Sequence, residues 1–185
     1  ATLESVPGVS AVATRWQTGE ACVSFGGPPD LPALTSALAA IGNPATGSAV
    51  IPACPAGLEP ARVLWGDSHG QDVLVVSRGE TFALASVAVP GKFVLVDFGA
   101  SWCGPCFAAE DKLTAYAATH ADTAIRPVVL PGATPPESFA APAAVEHLKF
   151  ASGLPWFLVL DPRGKVVYRG GEVESALAAI DKKRP

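Results

Sequence analysis

The sequence predicts an α/β domain that follows a smaller α+β region. Two observations carry this prediction. The nearly continuous apolar run at residues 93–98 is typical of a central strand that is covered on both faces. Segments of strand and helix type then alternate in the order strand, helix, strand, helix, strand, strand, helix. Since 49% of the 185 residues are apolar, the chain can bury a sizeable core.

The N-terminal region, residues 1–51, is predicted to form two strands, a helix and a third strand. Residues 9–25 read as a hairpin because apolar and polar residues alternate along 21–25. Leucines then recur at helical spacing after Asp30, a good helix N-cap. The short apolar run at 49–51 predicts one more strand. Prolines and glycine at 52–62 mark a linker, so the larger domain is expected at 63–185.

The larger domain is predicted element by element from periodicity and turn residues. Its expected elements are short strands or loops at 72–76 and 82–89, a strand at 93–98, a helix from 103 to about 120, a strand at 125–130 interrupted by a proline, a proline-rich loop at 131–136, a helix at about 143–150, strands at 156–160 and 165–169, and a closing helix at 173–182.

Charge and composition exclude several classes of function. With 13 Lys and Arg against 17 Asp and Glu, the net charge is −4, and binding to nucleic acid or to an anionic membrane needs a basic surface. No apolar run approaches the roughly 18 residues of a membrane helix. The chain has no methionine, so we expect that residue 1 is not a translation start and that the chain was processed or excised from a longer one.

The chemistry is predicted at Cys103 and Cys106, two thiols three positions apart at the start of a helix. The free N–H groups and partial positive charge of a helix N-terminus stabilise a thiolate, which lowers the pKa of Cys103. Cys106 lies one turn further in, where we expect it to be shielded. Cys103 is therefore predicted as the exposed attacking sulfur and Cys106 as the resolving one. Pro105 suits an early helical position.

The cysteine pair has two interpretations other than a redox pair: a zinc site and a static structural disulfide. A structural zinc site needs four ligands, usually two close pairs. Cys22 and Cys54 are isolated, and His69, His120 and His147 form no ligand pair. We therefore predict no metal ligand. A purely structural disulfide is disfavoured because the pair opens a helix directly after a buried strand.

Residues 94–106, Val-Leu-Val-Asp-Phe-Gly-Ala-Ser-Trp-Cys-Gly-Pro-Cys, resemble the active-site segment of the thioredoxin superfamily. Residues 153–160, Gly-Leu-Pro-Trp-Phe-Leu-Val-Leu, are similar to the segment in which that superfamily enters a strand through a cis-proline. The resemblance covers roughly residues 72–183. It implies a thioredoxin-like fold, with a central mixed sheet of four or five strands and helices on both faces. It also implies dithiol–disulfide exchange that uses the Cys103–Cys106 disulfide and no other cofactor.

The resemblance also implies the catalytic roles. Cys103 would be the nucleophile and Cys106 the resolving thiol. Asp97 matches a buried acid behind the disulfide, where burial raises its pKa and makes it a proton acceptor for Cys106. The alternative for Asp97 is a solvent-facing residue at a strand end. Arg126 would stand where the superfamily often has a lysine near this acid.

The substrate-binding residues are likewise implied by the resemblance. Pro155 would be cis and would pack against the disulfide, and the backbone of Leu154 would pair with an extended substrate peptide. Trp102 would shield the thiols, or alternatively be a core aromatic. Gly104 and Pro105, between the cysteines, complete this surface.

The N-terminal region has a weaker resemblance. Residues 6–9, the following hairpin and the helix look like the later part of a heavy-metal-associated, ferredoxin-like domain. The metal-binding Cys-x-x-Cys of that family lies before this stretch, so no metal ligand is carried over. Cys22 and Cys54 can form a structural disulfide, but the sequence alone leaves open whether they meet.

These observations predict a thiol–disulfide oxidoreductase of protein substrates. The Gly-Pro between the cysteines resembles the reducing members, so its partners would be disulfide-containing proteins and a thiol reductant or oxidant. One alternative is a redox-inactive adaptor or metal-handling partner module. Another is a dedicated electron donor to one partner. The extra cysteines, few lysines and processed start predict the periplasm or another extracytoplasmic space, with the cytoplasm as the alternative.

Overall fold

The computed structural model describes residues 3, 5–15, 20–40, 45–55, 59–60, 63–66, 70, 72–132 and 134–184. The chain divides into two compact units, Ala1–Val63 and Leu64–Pro185. Each unit has its own sheet, of three strands in the first and four in the second among these residues. None of the helices in the described ranges is long and apolar enough to cross a membrane.

In the first unit, the predicted hairpin and helix are confirmed. Strand β1 (Val9–Arg15) pairs antiparallel with β2 (Glu20–Phe25). Helix α1 (Leu31–Ala40) follows Asp30, whose carboxylate accepts a hydrogen bond from the backbone N–H of Ala33 at 2.9 Å. This bond satisfies one of the N–H groups that every helix start leaves without an intrahelical partner.

The third strand of the first unit lies later in the chain than predicted. Residues 49–51 form no strand; instead β3 (Glu59–Pro60) pairs with the second edge of β1. The 52–62 segment, predicted as a linker, thus holds β3, and it also holds Cys54, which is joined to Cys22 in a disulfide. A short apolar run alone does not show which segment reaches an open strand edge.

The second unit is built around β4 (Phe93–Ala100), all eight residues of which are buried. Strand β5 (Thr123–Leu130) lies parallel to β4 on one side, and β6 (Trp156–Leu160) lies antiparallel on the other. Strand β7 (Val166–Gly170) completes the order β5-β4-β6-β7. The predicted mixed central sheet is confirmed, with four strands.

Helices cover both faces of this sheet, which confirms the predicted fold class. They are α2 (Leu84–Val87), α3 (Gly104–Thr119), α4 (Pro135–Phe139), α5 (Pro142–His147) and α6 (Val173–Asp181). On one face, Leu113 of α3 and Ile180 of α6 share a buried core with Leu95 of β4; we call it the α3-side core. On the other face, Ala144 of α5 packs in a core with Val96 of β4.

The segment 72–77, within which a short strand or loop was predicted, runs beside β5 but makes only two isolated bridges to it. Strand β5 donates the backbone N–H groups of Ile125 and Val129 to this segment. Pro127, between them, has no N–H to donate, so the ladder is interrupted at its midpoint. The segment therefore falls short of a fifth strand.

Two segments that were predicted as strand or loop contain helices. Residues 82–89 hold α2, and the proline-rich stretch 131–136 leads into α4. The start of α4 reads Thr134-Pro-Pro-Glu137, and the backbone N–H of Thr134 donates to the Glu137 carboxylate at 3.2 Å. This is a capping box with proline in the first turn, which is a signal for a helix start. It outweighs the high proline content, from which a loop was predicted.

Candidate active site

The two cysteines lie where β4 passes into α3. Cys103 occupies the N-cap position, Gly104 and Pro105 are the first helical residues, and the backbone N–H of Cys106 donates to the carbonyl of Cys103 at 3.0 Å. The two sulfurs are joined in a disulfide. Because Cys103 stands at the helix N-terminus, the partial positive charge there favours its thiolate once the disulfide is reduced.

Both sulfurs are covered in this oxidised form. Cys103 is 2% exposed and Cys106 is fully buried, so the prediction of an exposed Cys103 is wrong. The side chains of Trp102, Phe107 and Leu154 are partly buried and pack against the α3-side core, which includes both cysteines. Because both cysteines are buried, a substrate disulfide can reach Cys103 only after a local movement of the side chains around it.

Gly99 of β4 allows the disulfide to approach the sheet. A Cβ atom at this position would lie 3.4 Å from Sγ of Cys106 and 2.7 Å from Cδ2 of Leu64. The second distance is shorter than any normal carbon–carbon contact. The absence of a side chain at Gly99 therefore lets Leu64 and Cys106 pack side by side on β4.

Asp97 lies two residues before Gly99, on the same face of β4. It is fully buried, not solvent-facing. Its Oδ2 accepts a hydrogen bond from the indole N–H of Trp65 at 2.7 Å, whereas Oδ1 has no hydrogen-bond partner among the described residues. Burial raises the pKa of Asp97 from 3.8 to about 7; the Trp65 hydrogen bond lowers it, and the charge of Glu110 raises it.

Glu110 is a second buried carboxyl group that the sequence analysis missed. It is 1% exposed, and its Oε1 accepts the backbone N–H of Trp65 at 3.1 Å. Glu110 follows Cys106 by four residues, which places both on one face of α3 together with the buried Leu113. The sequence signal for Glu110 is its position four residues after Cys106, which puts a carboxyl group on an otherwise apolar helix face.

Arg126 does not lie near Asp97, in contrast to the prediction. It is in register with Val96 on the parallel neighbour strand, so it belongs to the opposite face of the sheet. Its guanidinium donates to the backbone carbonyl of Asp72 at 2.9 Å. The β5 residue in register with Asp97 is Pro127, so β5 brings no cation to this acid.

The segment before β6 holds the predicted substrate-binding backbone. The peptide bond between Leu154 and Pro155 is cis. Leu154 is partly buried against the α3-side core, and Trp156 opens β6 in register with Phe98. That Leu154 pairs with a substrate peptide stays a prediction.

Trp102 is held by α4. Its indole N–H donates to Oγ of Ser138 at 2.8 Å, and this hydroxyl in turn donates to the carbonyl of Pro131 at 2.7 Å. Ser138 is fully buried, so its hydroxyl is a fixed acceptor for the indole. Ser138 was not predicted from the sequence, because the prolines before it predicted a loop where α4 begins.

We expect Ser138→Ala to loosen Trp102, which is predicted to shield the disulfide. The change leaves the Trp102 indole N–H and the Pro131 carbonyl without their shared partner, which lowers the free energy of unfolding by about 1–3 kcal/mol. Dithiothreitol should reduce the disulfide several-fold faster in this variant, as followed by thiol titration. Ser86→Ala is the matched control because the exposed Ser86 hydroxyl donates only locally, to Ala83. Equal reduction rates in all three proteins would contradict a covering role for Trp102.

No protein-family model matches this chain, and no curated protein sequence matches it. Several solved structures do. Fasciola hepatica thioredoxin is 23% identical with a TM-score of 0.40, and the match covers 51% of this chain and 84% of that one. Trypanosoma brucei brucei thioredoxin is 14% identical with a TM-score of 0.44, covering 63% and 95%. A complex of ferredoxin:thioredoxin reductase with thioredoxin f2 matches at 23% identity and a TM-score of 0.40, covering 52% and 81%. The fold described above rests on the strand order and register of this chain itself.

Proposed function

We propose that the second unit is a thiol–disulfide oxidoreductase that reduces disulfides of protein substrates. One observation carries the proposal: a disulfide at the N-terminus of α3 shares a buried core with Trp65, whose indole N–H binds Asp97, a carboxyl group whose pKa burial raises to about 7. A structural disulfide has no use for a proton acceptor that titrates near neutral pH, whereas thiol exchange does.

The first half of the reaction uses Cys103. Its thiolate attacks one sulfur of the substrate disulfide, so that a bond forms between Cys103 and the substrate while the substrate S–S bond breaks. The displaced substrate sulfur leaves as a thiolate and takes a proton from water. The helix N-terminus supports this step because it stabilises the attacking thiolate.

The second half uses Cys106 and Asp97. The Cys106 thiol gives its proton to the Asp97 carboxylate, and the resulting thiolate attacks Sγ of Cys103. The Cys103–Cys106 disulfide closes, and the second substrate sulfur leaves as a thiolate. Two electrons have then moved from the pair to the substrate, so a thiol reductant has to reduce the pair again before the next turnover.

Insulin reduction tests the proposal. Catalytic amounts of the protein should accelerate the precipitation of insulin by dithiothreitol, and Cys103→Ser should bring the rate down to the uncatalysed level. The double variant Cys22→Ser/Cys54→Ser is the matched control, since it removes the disulfide of the first unit and leaves the pair on α3 intact. No acceleration by the parent protein would contradict the proposal and favour a redox-inactive binding module.

A further inference from the structure

Trp65 contacts both buried carboxyl groups of the site with two different N–H groups. Its indole N–H donates to Oδ2 of Asp97 at 2.7 Å, and its backbone N–H donates to Oε1 of Glu110 at 3.1 Å. The residue is fully buried and has a φ of +50°, a backbone conformation that costs energy in any residue other than glycine. Such a conformation persists only where the surrounding contacts hold it.

We infer that Trp65 is a positioning residue for the proton acceptor of the site: it holds Asp97 by Oδ2 and leaves Oδ1 to receive the proton of Cys106. This kinetic role rests on the proposed function. The geometry behind it, one tryptophan bound to both carboxyl groups, is a property of the fold alone and can be tested without any activity.

The surroundings of Asp97 make the indole N–H its decisive partner. From α3 it is influenced by Glu110, which is an acid and not a cation. Its register neighbours are Pro127 on β5 and Phe157 on β6, which carry no charge. Within the described part of the chain, the indole N–H is thus the hydrogen-bond donor that stabilises the ionised carboxylate against burial and against the charge of Glu110.

The two hydrogen bonds also connect the elements that carry the reacting groups. Asp97 belongs to β4, whereas Glu110 lies one turn beyond Cys106 on α3. Trp65 therefore ties the strand of the proton acceptor to the helix of the proton donor. The neighbouring Leu64 side chain packs into the space left open at Gly99, which anchors the segment beside the disulfide.

The contact itself is tested by the indole ¹⁵N–¹H resonances of the oxidised protein between about pH 5 and 9, where the cysteines carry no protons. The Trp65 indole resonance should titrate with a midpoint near 7, and Asp97→Asn should abolish that titration. The Trp102 indole, which binds the Ser138 hydroxyl, is the internal control and should not titrate. A Trp65 resonance that is insensitive to Asp97→Asn would overturn the inference, whether or not the protein reduces insulin.

The positioning role is tested by a double-mutant cycle on the closure of the mixed disulfide. Trp65→Phe keeps an aromatic ring but removes the indole donor, so closure at pH 7 should slow about tenfold, the equivalent of one charge-assisted hydrogen bond, and its pH midpoint should rise. In the Asp97→Asn background the same change should add no further slowing. Equal slowing in both backgrounds would show a merely structural role and overturn the inference. Should Trp65→Phe fail to fold, the resonance experiment decides alone.

Discussion

Replacing Cys106 by serine should turn the protein into a trap that stays joined to its partner by a mixed disulfide. Cys103 can still attack a substrate disulfide, but the serine hydroxyl cannot close a new one. In the parent protein Cys106 is held next to Cys103 on the first turn of α3, which gives it a very high effective concentration. Its loss should prolong the lifetime of the mixed disulfide on the order of 10³-fold or more.

The measurement is a diagonal gel, non-reducing in the first dimension and reducing in the second, of the variant expressed in the source cell. Cys103→Ser is the matched control. The remaining Cys106 lies inside the first turn of α3 against Gly99 of β4, whereas Cys103 occupies the N-cap at the end of the helix, so Cys106 should capture far less substrate. Equal trapping by the two variants, or none by either, would contradict the assigned division of labour between the sulfurs.

Asp97→Asn should change the pH dependence of stability and slow the closing step. The folded-state pKa of Asp97 is raised by burial from 3.8 to about 7. Between these values the folded protein keeps a proton that the unfolded chain releases, so the parent protein loses stability as the pH rises through this interval. The loss is on the order of 4 kcal/mol and is complete above pH 7, whereas asparagine has no such dependence.

Urea unfolding of the oxidised proteins across this pH range measures the effect. The stability of the asparagine variant relative to the parent should increase with pH up to about 7 and then level off. Asp111→Asn, at an exposed position of α3, is the matched control for the loss of one carboxyl group. A constant difference between the parent and the asparagine variant would mean that Asp97 is ionised in the folded protein throughout.

The same variant tests the kinetic role. Because an asparagine side chain at this position cannot accept the proton of Cys106, closure of the mixed disulfide at pH 7 should slow on the order of 10²-fold. Glu110→Gln separates the two acids, since Glu110 raises the pKa of Asp97 but is not assigned the proton. Closure in Glu110→Gln should remain and reach its plateau at a lower pH. Unchanged closure in Asp97→Asn would show that the carboxyl group is not the proton acceptor.

Local patterns were sufficient where neighbours in sequence decide the structure. The apolar run of β4, the helical spacing of α3 and the turn before β7 each depend on residues a few positions apart, so their elements could be predicted from the sequence. The same holds for the placement of Cys103 and Cys106 at the start of a helix. The capping box of α4 was also a local signal, but the prolines in the same segment led to the prediction of a loop.

Tertiary structure alone decided which distant groups meet at the site. Trp65 reaches Asp97 across 32 residues and Glu110 across 45, and Trp102 reaches Ser138 across 36. Hydrophobic periodicity in the sequence cannot predict such pairs, because they depend on how the helices pack on the sheet. The face on which Arg126 lies was likewise decided by strand register, since a shift of one residue moves a side chain to the other side of a sheet.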